Sequence, residues 1–470
     1  MSTAAPGETV VCMYAPRATI YPRAVSGRYA RLRWLCVFLT QLVFYGVPWL
    51  RWNDRQAVLF DLAARKFYLF GLVLWPQDFI YLAALLIVCA VGLFLVTAIA
   101  GRVWCGYACP QTVYSEIFLW LERTIEGERS ERMRRDRAGI SVEKFLRKLA
   151  KHSAWLILAL WTGISFVGYF TPLDQLWAGL KSWTLGPWQL FWVGFYTLAT
   201  YGNAGWLREQ VCKYMCPYAR FQSAMFDRDT LIVSYDRQRG EPRGPLERGA
   251  AKGTGAGAGA ATRGDCIDCS LCVQVCPVGI DIREGLQYEC IGCAACVDAC
   301  NGVMAKVARP HGLVRYATDR GLAARWNTRQ MAARVLRPRV LVYCALLLAL
   351  CAGLATALSL RTPLKLDVLR DRGGMGRLVA GGMVENVYRL QVMNTAEHRH
   401  EFRIGVDGLP GAVVDGSPTI TVDGAAARTV ALRVRAPRGS AGSHPLHISL
   451  RALDDPAVQV SEAAVFLMPR

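Results

Sequence analysis

The chain has 470 residues, 53% of them hydrophobic, with a formal net charge of +19 and 17 cysteines. The length allows two or three domains, and the apolar content excludes a simple soluble protein, so membrane spans are expected. The positive charge is concentrated between apolar runs, so membrane topology accounts for it and no nucleic-acid partner is implied.

Residues 1–32 form a basic tail, with Arg17, Arg23, Arg28 and Arg31 ahead of the first apolar run and Arg33 at its start. Five apolar runs follow, at 33–50, 79–100, 153–171, 187–206 and 340–360. Each is about twenty residues with little charge, the length a bilayer core requires. The first is too long, and lacks the small-residue site, for a cleavable signal. Residues 33–206 thus read as a four-helix membrane region, with a cytoplasmic loop at 101–152. Arg and Lys crowd 101–152 and 207–339, whereas 172–186 holds only Lys181. The positive-inside rule then places the N-terminus in the cytoplasm and, after five spans, the C-terminus in the periplasm. Arg51, Arg55, Arg65 and Lys66 dissent on the outer side, in a loop whose alternation suggests a small hairpin. Residues 112–151 have helical apolar spacing and are expected as helices on the inner membrane face.

Two short motifs follow the second and fourth runs. Residues 104–111 read WCGYACPQ and 211–218 read VCKYMCPY, both C-x-Y-x-C-P. Spans one to two and three to four therefore resemble a parallel repeat. Cysteines at i and i+4 share one helix face, and the proline limits that helix and can open another. Cys105, Cys109, Cys212 and Cys216 would then make one four-thiolate site at the inner surface. Soft thiolates suit Cu(I), zinc or iron–sulfur; the bland alternative is small packing residues at helix ends.

Residues 207–264 carry the second motif and then a Gly/Ala-rich tether over 240–264. Residues 265–310 hold the strongest signal in the chain. Cys266, Cys269, Cys272 and Cys276, followed by Pro277, repeat as Cys290, Cys293, Cys296 and Cys300, followed by Asn301. This is the bacterial ferredoxin spacing written twice, in which the fourth cysteine of each run serves the other cluster. Cys266, Cys269, Cys272 and Cys300 are assigned to one 4Fe–4S centre, and Cys290, Cys293, Cys296 and Cys276 to the second. Disulfides or zinc fit eight such thiols poorly.

A connector (311–339) and the fifth span (340–360) lead to residues 361–470, which contain no cysteine. Alternating stretches at 387–392, 402–404, 419–422, 430–434 and 446–450, separated by Asp-Gly turns, imply an immunoglobulin-like β-sandwich. Cys36, Cys89, Cys344 and Cys351 read as packing residues within spans, and Cys12 as an inert tail thiol. His398 and His400 read as exposed strand histidines.

The full order resembles the CcoG/FixG/RdxA family of cytochrome oxidase accessory proteins over nearly the whole chain. The stretch GRVWCGYACPQTVYSEIF and the second C-x-Y-x-C-P are its specific part. The resemblance implies a bacterial inner-membrane oxidoreductase that reduces Cu(II) to Cu(I) for assembly of a cbb-type haem–copper oxidase. It implies two 4Fe–4S clusters, copper as substrate at Cys105, Cys109, Cys212 and Cys216, and partners among oxidase-assembly proteins or copper transporters and chaperones. Alternatives are a quinol-linked membrane ferredoxin and a non-catalytic assembly factor. The electron donor and the oligomeric state, a homodimer among the options, stay open.

Overall fold

The computed structural model describes residues 19–245, 263–371, 373 and 376–469. Cys12 and most of the Gly/Ala-rich tether lie outside the described residues. The chain forms two compact units: 1–43, 90–164 and 190–346 make one, and 44–89, 165–189 and 347–470 the other. It passes between them five times, each time inside a helix: Arg28–Gly46, Phe79–Ala100, Val142–Val167, Pro187–Thr200 and Pro338–Ser359.

Three segments, Arg28–Trp49, Pro76–Ala100 and Pro338–Ser359, are long and apolar enough to cross a membrane. The other two of the five expected runs are not among these three segments. Run 153–171 is the apolar end of a helix whose first turns, from Val142, are basic, so 142–151 is no separate surface helix. Run 187–206 is α-helical only to Thr200 and continues as a π-helix, Tyr201–Leu207.

In the first unit, strands Ile232–Tyr235 and Val314–Ala317 pair antiparallel and bracket the cysteine-rich segment. Its core joins Val233, Tyr235, Ile282, Val297 and Val314 to the cysteine loops. The helix Ala295–Lys306 meets the start of the first apolar helix. Asp298 accepts hydrogen bonds from the backbone N–H of Tyr29 (3.3 Å) and Ala30 (2.7 Å), satisfying donors that a helix start leaves free. A Cβ on Gly27 would lie 2.3 Å from Asp298 Cγ, so this approach needs glycine.

The second unit contains the expected small hairpin structure, a three-stranded antiparallel sheet over Val58–Asp61, Lys66–Leu69 and Leu72–Leu74. It also holds the immunoglobulin-like sandwich. One sheet centres on Met383–Asn394, paired with Ala427–Pro437 and Leu364–Arg370. The other orders Thr419–Val422, His400–Asp407, Gly442–Ala452 and Gln459–Met468. Alternate residues face inward, so Tyr388, Leu390, Val392, Phe402, Leu446 and Phe466 are fully buried. Tyr388 donates its hydroxyl to the Val465 carbonyl of the opposite sheet at 2.9 Å. His400 is buried, not exposed as expected, and its Nδ1 lies 2.7 Å from Asp454.

Candidate iron–sulfur and thiol centre

The two ferredoxin runs fold alike because their spacing repeats. Asp268 and Gly292, at equivalent positions, have φ of +54° and +67°; Ser270 and Ala294 both have φ of +56°. These left-handed residues curl each C-x-x-C-x-x-C loop around its own interior. The runs differ at one position for a steric reason. Asp268 has room to meet Arg283, whereas a Cβ at Gly292 would lie 3.2 Å from the Arg102 backbone. Asn301, at the position equivalent to Pro277, accepts a hydrogen bond from the Gly312 N–H at 2.9 Å.

Each loop borders a small apolar cavity of about 20 Å³. Cys266, Cys269, Cys272 and Cys300 line one; Cys272, Cys276, Cys290, Cys293 and Cys296 line the other. Each cavity thus takes three cysteines from its own run and at least one from the other. Among the described residues, no three His, Cys, Asp or Glu side chains converge as a single ion requires. The thiols instead surround a volume, which suits a multi-iron group. Burial pushes Cys272 and Cys290 up to about 12, and Cys276 and Cys300 up to about 11. Such thiols are neutral at pH 7, and ligation must displace their protons.

The C-x-Y-x-C-P cysteines do not share one helix face, as the sequence suggested. Cys105 lies in the short helix Val103–Tyr107, and Cys109 caps the next helix, Pro110–Glu126. Cys212 lies in a π-helical turn, Val211–Met215, and Cys216 caps Pro217–Met225. Proline at the first helical position has no N–H to continue the preceding turn, so each pair straddles a break. Cys105 and Cys212 each still lie within electrostatic reach of thiols of the other motif. Cys105 feels Cys109 and Cys216, and Cys212 feels the other three. Burial pushes Cys105 up and Cys212 up to about 12, with Arg102 pulling both back.

The surrounding polar groups were not legible in the sequence. Gln222, fully buried, accepts hydrogen bonds from the Cys105 thiol and from Arg102 Nε, both at 3.2 Å. It donates to Thr97 Oγ1 at 3.3 Å, which also meets the Tyr218 hydroxyl at 2.8 Å. Arg33, buried in the first apolar helix, lies against Cys293, Glu116 and Tyr107. Cys105, Cys212 and Tyr218 belong to one apolar cluster with Cys276, Cys290, Cys293 and Cys296. Cys105 and Cys212 therefore adjoin the second ferredoxin loop.

The chain carries regions of known type. Residues 207–319 match a 4Fe-4S dicluster domain and 82–126 a 4Fe-4S binding domain. Residues 354–469 match the "IG-like fold at C-terminal of FixG, putative oxidoreductase". The chain is 40% identical over 433 residues to nitrogen fixation protein FixG of Rhizobium meliloti, covering 86% of this chain and 82% of that protein. It is 41% identical over 409 residues to protein RdxA of Cereibacter sphaeroides, covering 85% and 84%. Protein RdxB of the same organism is 40% identical over 402 residues, covering 84% and 83%. With paired cysteine loops, two C-x-Y-x-C-P breaks and a C-terminal sandwich all matched, the chain belongs to the CcoG/FixG/RdxA family of iron–sulfur oxidoreductase-like proteins.

Proposed function

We propose that the protein reduces Cu(II) to Cu(I) at Cys105, Cys109, Cys212 and Cys216, using electrons relayed through the ferredoxin segment. The observation that carries this reading is the shared apolar cluster of Cys105 and Cys212 with Cys276, Cys290, Cys293 and Cys296. One quartet, Cys266, Cys269, Cys272 and Cys300, would hold one 4Fe–4S cluster; Cys290, Cys293, Cys296 and Cys276 would hold the other. When bound, such clusters supply one-electron transfer, which matches the single electron that Cu(II) takes up. Thiolates favour the product, because soft ligands prefer the soft Cu(I) ion. Copper is a substrate that comes and goes, and two thiolates suffice for Cu(I), so no preformed single-ion site is required.

The five passages of the chain between its two units support five membrane spans. The Lys/Arg bias supports a cytoplasmic ferredoxin segment and a periplasmic sandwich in a bacterial inner membrane. Assembly of a haem–copper oxidase is the process this would serve, with copper-handling and oxidase-assembly proteins as partners. The test is replacement of all four C-x-Y-x-C-P cysteines by Ala. Iron and sulfide content should remain, and Cu(I) formation, read with a Cu(I)-specific chelator, should stop. Continued Cu(I) formation would make these thiols structural.

A further inference from the structure

A cavity of about 470 Å³ opens in the first unit. Its size falls within the range of small-molecule sites, about 300–1,000 Å³. Aromatic rings form one wall: His152 stacks on Trp206 at 5.6 Å and meets Trp155 edge-on at 5.1 Å. The Tyr201 hydroxyl lies 3.0 Å from His152 Nδ1. Tyr201 and Trp206 belong to the π-helix Tyr201–Leu207, a distortion often found at functional sites. Within that π-helix, a Cβ on Gly205 would lie 3.0 Å from the Trp155 ring, so glycine lets the π-helix pack against it.

The cations here do not await an anion. Lys151 and Arg208 are both engaged by Glu122, at 3.6 and 2.9 Å. The rest of the lining includes Asp136, paired with Lys148 at 2.9 Å, the aromatic rings, the His152 imidazole and the Glu209 carboxylate. Glu209, buried, accepts a hydrogen bond from Gln210 at 3.0 Å and has no ion-pair partner among the described residues. The cavity also lies on the helix Val142–Val167 where its basic turns give way to the apolar run. Under the five-span reading, that is the depth at which a lipid-soluble carrier presents its head group. Finally, Arg208 and Glu209 are shared with a smaller cleft whose other walls include Cys212 and Cys293.

We infer that this cavity binds the ring of a membrane quinol, which is the electron donor of the protein. The inference rests on the reading above for its acceptor. In the tautomer that donates Nδ1–H to Tyr201, His152 Nε2 is free to take one proton from the quinol, and Glu209 takes the other. The quinol loses two electrons and becomes the quinone. The electrons leave singly, and two Cu(II) ions become two Cu(I).

The test uses the full-length, iron-loaded protein in lipid nanodiscs without oxygen, with decylubiquinone and decylubiquinol as probes. Calorimetry should show saturable decylubiquinone binding, and decylubiquinol should bleach the iron–sulfur absorbance. His152→Phe should weaken the binding and slow the bleaching about tenfold, the effect of one lost hydrogen bond of about 1.4 kcal/mol. Tyr201→Phe, which removes only a hydroxyl, should act in the same direction at unchanged iron content. It decides the matter if His152→Phe does not fold. Absence of saturable binding, or wild-type binding and bleaching in the variants, would overturn the inference. Cu(II) added to dithionite-reduced wild type tests the copper reading separately, since that arm needs no quinol.

Discussion

A Cβ built on Gly106 would lie 2.9 Å from both the Cα and the N of Cys293. The glycine of the first C-G-Y-A-C motif thus rests directly on the backbone of a ferredoxin loop. Rigid backbone stands on both sides, so no flexible side chain can yield to a larger residue. This contact brings the first motif against the second ferredoxin loop. Gly106→Val should destabilise the first unit by about 1–3 kcal/mol through overpacking and lower the iron content. Thermal unfolding with parallel iron analysis checks both; wild-type values for each would mean the loop can move away.

The crossed cysteine assignment makes a sharper claim than iron content alone. Cys276→Ser should remove the same electron paramagnetic resonance signal as Cys290→Ser. Cys300→Ser should remove the signal that Cys266→Ser removes. Each variant should keep about half of the roughly eight irons expected for two clusters. If Cys276→Ser matched Cys266→Ser instead, the crossing would be wrong.

Gln222 ties Cys105 to Arg102 with no exposure to solvent. Gln222→Leu has a similar volume but leaves buried donors without an acceptor, at a cost of about 1–3 kcal/mol. The midpoint of thermal unfolding should fall while iron content holds. An unchanged midpoint would show that another group takes over as acceptor.

Burial alone would raise the Glu122 carboxyl, but Arg208, Arg132 and Lys151 outweigh it and hold the carboxyl below its usual 4.5. A folded-state value below the unfolded one stabilises above the unfolded value, and that stability is lost as pH falls through the folded one. Wild type should exceed Glu122→Gln by about 3 kcal/mol at pH 7, the scale for breaking a buried ion pair. The gap should shrink as the pH drops below about 4.5. Unfolding curves across that range check the slope; a gap that widened on acidification would reverse the assigned sign.

Topology is open to direct measurement. Alkaline phosphatase fused after residue 470 should be active, and fused near residue 310 inactive. The opposite pattern would put the ferredoxin segment on the oxidising side.

The local chemistry was written in the sequence. Cysteine spacing repeats as backbone conformation, so Asp268 matches Gly292, and Ser270 matches Ala294. Proline after Cys109 and Cys216 marked real helix starts, because a missing N–H is tolerated only there. Alternation likewise predicted the inward faces of the sandwich, since a strand's period of two is a local property. Periodicity did not foresee the form of the third and fourth apolar runs. It cannot see that one helix runs unbroken from basic to apolar residues, or that another turns π-helical at Tyr201. What tertiary structure alone decided is which groups meet across long stretches of chain: Gly106 with Cys293, Gln222 with Cys105, Arg33 with Cys293, and His152 with Trp206. Those meetings depend on close packing of distant segments, which no spacing within a short window encodes.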